Sequence, residues 1–343
     1  MTEPQIDAAP TVAPGRVRRT LGAAGRWLAL AVLMRAWWAS AFAAGWLLQL
    51  GRQATERRLH RLAGQDMAAE TERWGPWLRD TARLGVHGLA TTWLLCGPGM
   101  VLWWFGWRYG WDASFHKTYE SAHVGPLTAV LGIVAFVAAM GVVPLSQARL
   151  ALTGSLAAAL DLSVLRRLAR QRWPAALLLA GGYAGLGAVI MVMWMGVTFT
   201  PVNQAELAAD DGWLGRHYGF FALLLVPALV ALRRAAGRWY ASALVGAVQA
   251  GAVGLDALHP EELGRLDALG LLAVRSHPTR HRLVRWVGWS ASRAGRLAGA
   301  MAISSVWFLV VAQVFVAQFF HYRGGLGWLV LPSVTLPWVG SLP

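Results

Sequence analysis

The chain has 343 residues, of which 56% are hydrophobic and only 14% charged, and its mean hydropathy is +0.44. Soluble domains carry about 25% charged residues, so this composition excludes an ordinary soluble globular protein and points to the membrane class. Arginine and lysine total 31 against 17 acids; on so apolar a chain that excess marks cytoplasmic loops facing anionic lipid rather than a nucleic-acid surface, and the single Cys96 excludes an internal disulfide.

Residues 1–15, rich in Pro and Ala, read as a disordered tail. Arg16, Arg18 and Arg19 followed by apolar residues and "ASAFAAG" imitate a signal peptide, but Arg35 interrupts the apolar run and cleavage is not expected. The stretch Arg26–Leu50 is apolar enough to enter a bilayer. As a full span it would place four arginines outside, against the charge rule, and hold Arg35 at a cost of about 2.5–3.5 kcal/mol if central. The expectation is an N-terminal interfacial or re-entrant helical hairpin with both ends inside, a full span being the alternative.

Five later stretches are long enough to cross about 30 Å of hydrocarbon as helices: Leu84–Trp107, Val124–Ser146, Pro174–Phe199, Trp213–Leu232 and Leu297–His321. The arginines orient them. Segments 51–83, 149–173 and 233–296 are dense in Arg, whereas 108–123, 200–212 and the tail after His321 together carry only Arg108, Lys117 and Arg323. The dense segments are therefore read as cytoplasmic, with the N-terminus inside and residues 323–343 outside. "VPLSQARLALTG" (Val143–Gly154) and "VPALVALRRAAG" (Val226–Gly237) form a faint parallel repeat. In each, a proline is expected to bend a span that then continues as a basic surface helix. The resulting organisation is a tail over 1–15, a helical membrane domain over 16–245, an arginine-rich cytoplasmic amphipathic segment over 246–296, and a last span with an outer tail over 297–343.

"GWLLQLGRQ" (Gly45–Gln53), "RWGPWLRDTARLGVHGL" (Arg73–Leu89), "VPLSQARLALTGSLAAALD" (Val143–Asp161) and "PALVALRRAAGRWYA" (Pro227–Ala241) occur in that order. Together they resemble family 4013 of the domain-of-unknown-function series, uncharacterised bacterial integral membrane proteins. The resemblance covers roughly residues 25–245 and implies a bacterial inner membrane location. It transfers no catalytic residues, because none are established for that family.

Chemistry is sparse. No acid lies in an expected span, which lowers the reading as an ion-coupled carrier. "HPEELGRLDALGLLAV" (His259–Val274) opens with Pro260, Glu261 and Glu262 as a helix start and reads as an amphipathic helix on the membrane or on its own bundle. In "RSHPTRHRLVRW" (Arg275–Trp286), His277 and His281 lack a third metal ligand nearby; Arg275, Arg280, Arg282 and Arg285 suit lipid headgroups. His87, His123, His217 and His321 fall near span ends. Three share the outer side and could in principle ligate haem or pigment, but no cofactor is expected. Gly181-x-x-x-Gly185 lets helices approach, for bundle packing or for dimerisation.

"GMVLWWFGWRYGW" (Gly99–Trp111) sets Trp103, Trp104, Trp107 and Trp111 at the outer end of the first confident span. An interfacial belt explains most tryptophans here. Four within nine residues exceed one anchor, so this edge is read as a protein-docking surface. The sequence thus leads to an all-α polytopic membrane bundle of five spans plus the hairpin, without enzymatic activity. Its expected role is that of an accessory subunit of a larger respiratory or photosynthetic type of complex, contacting lipids and protein subunits. A channel or carrier for a small or lipid-like solute, and a haem- or pigment-binding electron-transfer subunit, are the alternatives.

Overall fold

The computed structural model describes residues 14–66, 74–106, 124–203, 212–273, 282–321 and 335. They are helical throughout, with no strand among the described residues. The helices are α1 (Pro14–Ala63), α2 (Trp74–Gly106), α3 (Val124–Thr153), α4 (Leu156–Leu160), α5 (Leu162–Gln171), α6 (Trp173–Asn203), α7 (Trp213–Gln249), α8 (Pro260–Ala268) and α9 (Arg282–His321). Among the described residues four stretches are long and apolar enough to cross a membrane: Leu127–Thr153, Trp173–Met193, Trp213–Gln249 and Gly288–Val311. They correspond to four of the five expected spans. The fifth, in α2, has the length, at 33 residues. Its hydropathy is diluted by His87, Thr91, Thr92, Pro98 and its glycines and tryptophans.

The expected N-terminal hairpin does not form. Arg26–Leu50 is the middle of α1, one uninterrupted helix of 50 residues, about 75 Å long. The stretch holds no proline, and its one glycine, Gly45, is used for packing: a Cβ there would overlap the Thr81 carbonyl of α2, and one on Gly85 would overlap the Ala41 carbonyl of α1. These contacts make α1 antiparallel to α2. Gly51 and Thr55 lie beside Gly237, and Arg58 beside Ser242, so α1 is parallel to α7. The N-terminal half of α1 therefore continues away from the arginine-rich end instead of folding back to it. A reporter fused ahead of Arg16 is expected to be active on the side of the α2–α3 connection; activity on the side of α5 would restore the hairpin.

Other boundaries also move. α3 and α7 both pass through their prolines, Pro144 and Pro227, without interruption. α3 ends at Gly154, which adopts φ +64°, a left-handed conformation that glycine enters without a Cβ penalty. The continuation of α7 is no surface helix: Arg233, Trp239, Tyr240 and Leu244 are buried. α9 runs unbroken from Arg282 to His321, so the expected border at 296/297 falls inside a helix. The tail 1–13 lies outside the described residues. Thr335, the described residue of the C-terminal tail, is fully buried against Gln147 and Arg233. Thr335 therefore lies by the arginine-rich end and not, as expected for 323–343, beyond the outer ends of the spans; the rest of that segment is outside the described residues.

Candidate functional site

Tight packing concentrates at the arginine-rich end, where α1, α3, α5, α7 and α8 meet around buried charge. Two helix caps bring the ionic groups there. Asp161 ends α4 and caps α5, accepting from the Ser163 and Val164 amides at 3.1 and 3.4 Å. His259 caps α8 with Pro260 behind it, and the Glu262 carboxylate reaches back to the His259 amide at 2.8 Å. Glu262 is fully buried, and the same carboxylate receives a bidentate pair from Arg149, Nε at 2.8 Å and Nη2 at 3.0 Å. The Tyr240 hydroxyl donates to it as well, and Asp161 stands 3.5 Å from Arg149 Nη1. Burial alone would push the Asp161 carboxyl up, but the hydrogen bonds from Ser163 and Val164 and the Arg149 charge together hold it below the ordinary carboxylate range.

A second buried cation sits one layer away. Arg233 is 1% exposed and donates through Nη2 to Gln147 Oε1 and to the Thr335 carbonyl. Gln147 Nε2 in turn donates to the hydroxyls of Thr92, at 2.6 Å, and Thr335, at 3.2 Å. The guanidinium lies over the Tyr183 ring at 5.5 Å, within the reach of a cation–π contact. Arg233 Nε and Nη1 find no acceptor among the described residues. Outward from these, Arg265 pairs with Glu56, which also accepts from Arg52 at 3.1 Å, and Arg58 donates to Ser242 at 3.0 Å. The arrangement has no group of three or more metal-ligating side chains among the described residues. It staples α8 and Thr335 onto the bundle.

None of Gln147, Arg149, Arg233 or Glu262 stood out in the sequence, where the arginines counted only as loop charge. One signal was present: Arg149 stands alone in "QARLALT", flanked by apolar residues, which suits a buried partnered cation better than a solvated one. Glu262, 113 residues further on, gives no hint that it is the partner.

The tryptophan edge divides. Trp103 is 2% exposed, with its backbone against Gly132 of α3, whereas Trp104 is 41% exposed. Adjacent helical residues point about 100° apart, so they cannot share one surface. Trp103 thus belongs to the core and leaves the expected docking surface; Trp107 and Trp111 lie outside the described residues. Among the arginines expected at headgroups, Arg275 and Arg280 also lie outside them. Arg282 and Arg285 stand in the first turn of α9, their side chains outside the description. His217 Nε2 meets the Met193 carbonyl at 2.9 Å; a carbonyl only accepts, so this nitrogen carries a proton and only Nδ1 is left to ligate. His87 Nδ1 likewise donates to the Gly154 carbonyl at 3.3 Å. The side chains of His123 and His321 are outside the description.

At the opposite end α2 and α3 still pack closely, through Gly106 and Gly132, but α7 is less covered. From Gly212 to Leu232, one full crossing of α7, no residue is buried; Phe220, Leu223 and Leu224 are 59%, 77% and 51% exposed. From Arg233 onward the same helix is mostly buried. Comparison of this chain with protein families, with characterised proteins and with solved structures returns no match.

Proposed function

We propose that this protein is a non-enzymatic accessory subunit of a larger bacterial inner-membrane complex, with its arginine-rich end in the cytoplasm and α1 and α2 completing the crossings. The observation that carries the role is the outer half of α7, where Leu225, Ala228 and Leu229 pack on the bundle while Phe220, Leu223 and Leu224 on the other face stand exposed. A self-sufficient bundle encloses its central helices, and here one helix is enclosed for half its length only. Helices of a neighbouring subunit supply the missing contacts; Trp104, exposed on α2, is a separate apolar side chain available to a partner.

The test is a photo-crosslinking side chain placed at Leu223 in the native membrane, with Leu244, fully buried, as control. Position 223 is expected to give a stoichiometric protein adduct that persists through native purification, and position 244 only intramolecular products. Lipid adducts alone at 223 would show that α7 faces the bilayer and would end the subunit reading. A channel or a haem-bearing subunit gains no comparable support from the described geometry.

A further inference from the structure

Between α3, α6 and α9 lies a cavity of about 890 Å³, lateral to the ionic layer and unrelated to the outer half of α7. Ligand pockets usually fall in the range of about 300–1,000 Å³. Its walls are apolar, from Ile133 to Leu145 on α3 and from Ala300 to Leu309 on α9. Twelve residues of helix rise about 18 Å, slightly more than the roughly 15 Å of one hydrocarbon leaflet. Ser304 and Ser305 interrupt the α9 wall, and the charge is all at one end. Arg166 and Arg170, one turn apart on α5, and Arg296 on α9 line the arginine-rich mouth. Trp173 closes the floor there, its ring occupying the space a Cβ on Gly295 would fill.

No carboxylate lines this cavity, and Arg166 and Arg170 form no ion pair among the described residues. Arg296 spends its Nε on the Ser292 carbonyl at 3.1 Å, which orients the guanidinium and leaves its two terminal amino groups for another acceptor. Three arginines lining one end of a largely apolar slot as deep as a leaflet ask for one occupant: an anionic head on a hydrocarbon tail. Guanidinium matches phosphate oxygens in bidentate geometry. We propose that this cavity is a specific site for a single anionic glycerophospholipid, with its phosphate held by Arg166, Arg170 and Arg296 and an acyl chain between α3, α6 and α9. The site is independent of the accessory-subunit reading, since none of its residues is on the outer half of α7.

The full chain, stripped of lipid in a neutral detergent, would be titrated with phosphatidylglycerol and with phosphatidylcholine of the same chains, following bound lipid by native mass spectrometry. One tightly held phosphatidylglycerol is expected, with at least about tenfold preference over phosphatidylcholine, the equivalent of one charge-assisted bond. R166Q/R170Q/R296Q should remove the preference, while R167Q, an exposed arginine of the same helix outside the cavity, should keep it. Ala300→Trp, which fills the slot and leaves the arginines, should abolish tight binding of either lipid. Equal affinity for the two lipids, or a triple variant that keeps the preference, overturns the proposal. So does inorganic phosphate that competes at the lipid's own concentration, because the site would then serve a free anion. Unchanged lipid binding in Ala300→Trp would place the lipid on the outer surface of the helices and overturn it too.

Discussion

Glu262→Ala is expected to destabilise the protein by about 3–5 kcal/mol, because it leaves Arg149 buried with its carboxylate gone. The loss is larger than a surface ion pair would give, typically about 0–1 kcal/mol, because Arg149 is 1% exposed and water cannot replace the lost acceptor. The exposed Asp161 at 3.5 Å is a weaker partner and recovers only part of the charge balance. The effect is also local: Glu262 and Leu266 are the buried residues of α8, so proteases should reach the segment 250–273 first. Arg149→Met, Tyr240→Phe and Glu262→Met together remove both buried charges and the paired hydroxyl, leaving only the partly exposed Asp161, and should return most of the stability, since apolar replacement of a buried ionic triad is often neutral or better. Unfolding in detergent micelles and limited proteolysis read both results. Glu262→Ala melting with the parent protein would mean that α8 is not docked through this carboxylate.

That carboxylate also marks how far the sequence could be read. Hydropathy is a property of consecutive residues, so the spans in α3, α6, α7 and α9 were legible. The start of α8 was legible for the same reason, since His259, Pro260 and Glu262 write their cap within four positions. Pairings across the bundle were not. Arg149 and Glu262 are 113 residues apart, Gln147 and Thr335 188 apart, and nothing in either neighbourhood names the other. Reading every arginine as loop charge therefore put Arg149 and Arg233 in solvent, when both are buried. The same rule produced the N-terminal hairpin, because it counted Arg16 to Arg35 and could not see that Ala41 and Gly45 commit α1 to a seam with α2. The tryptophan edge failed differently. Composition locates Trp103 and Trp104 at one helix end, but only the neighbour decides which of two adjacent residues faces inward.

Gly45→Ala is expected to be among the most harmful single methyl groups that could be added to this protein, and Gly185→Ala among the most harmless. Both glycines sit inside helices, where alanine is intrinsically better by about 0.5–1 kcal/mol. Their neighbours differ completely. A Cβ at Gly45 overlaps the Thr81 carbonyl of α2, which is backbone and cannot rotate away, whereas a Cβ at Gly185 meets nothing within 4 Å. The sequence motif Gly181-x-x-x-Gly185 thus makes no close approach to another helix among the described residues. The seam that needs small residues is Ala41-x-x-x-Gly45 against Thr81-x-x-x-Gly85. Overpacking of this kind costs about 1–3 kcal/mol, and Gly45→Ala should reach the top of that range or pass it, because α1 and α2 must separate along their whole contact. Gly85→Ala strikes the reverse side of the same seam, at the Ala41 carbonyl. Once one methyl has parted the helices the second finds room, so the double variant should cost clearly less than the sum of the singles. Thermal unfolding of the four proteins in one detergent measures all of this. Gly45→Ala melting at or above Gly185→Ala would refute the α1–α2 seam and reopen the path of the N-terminal helix.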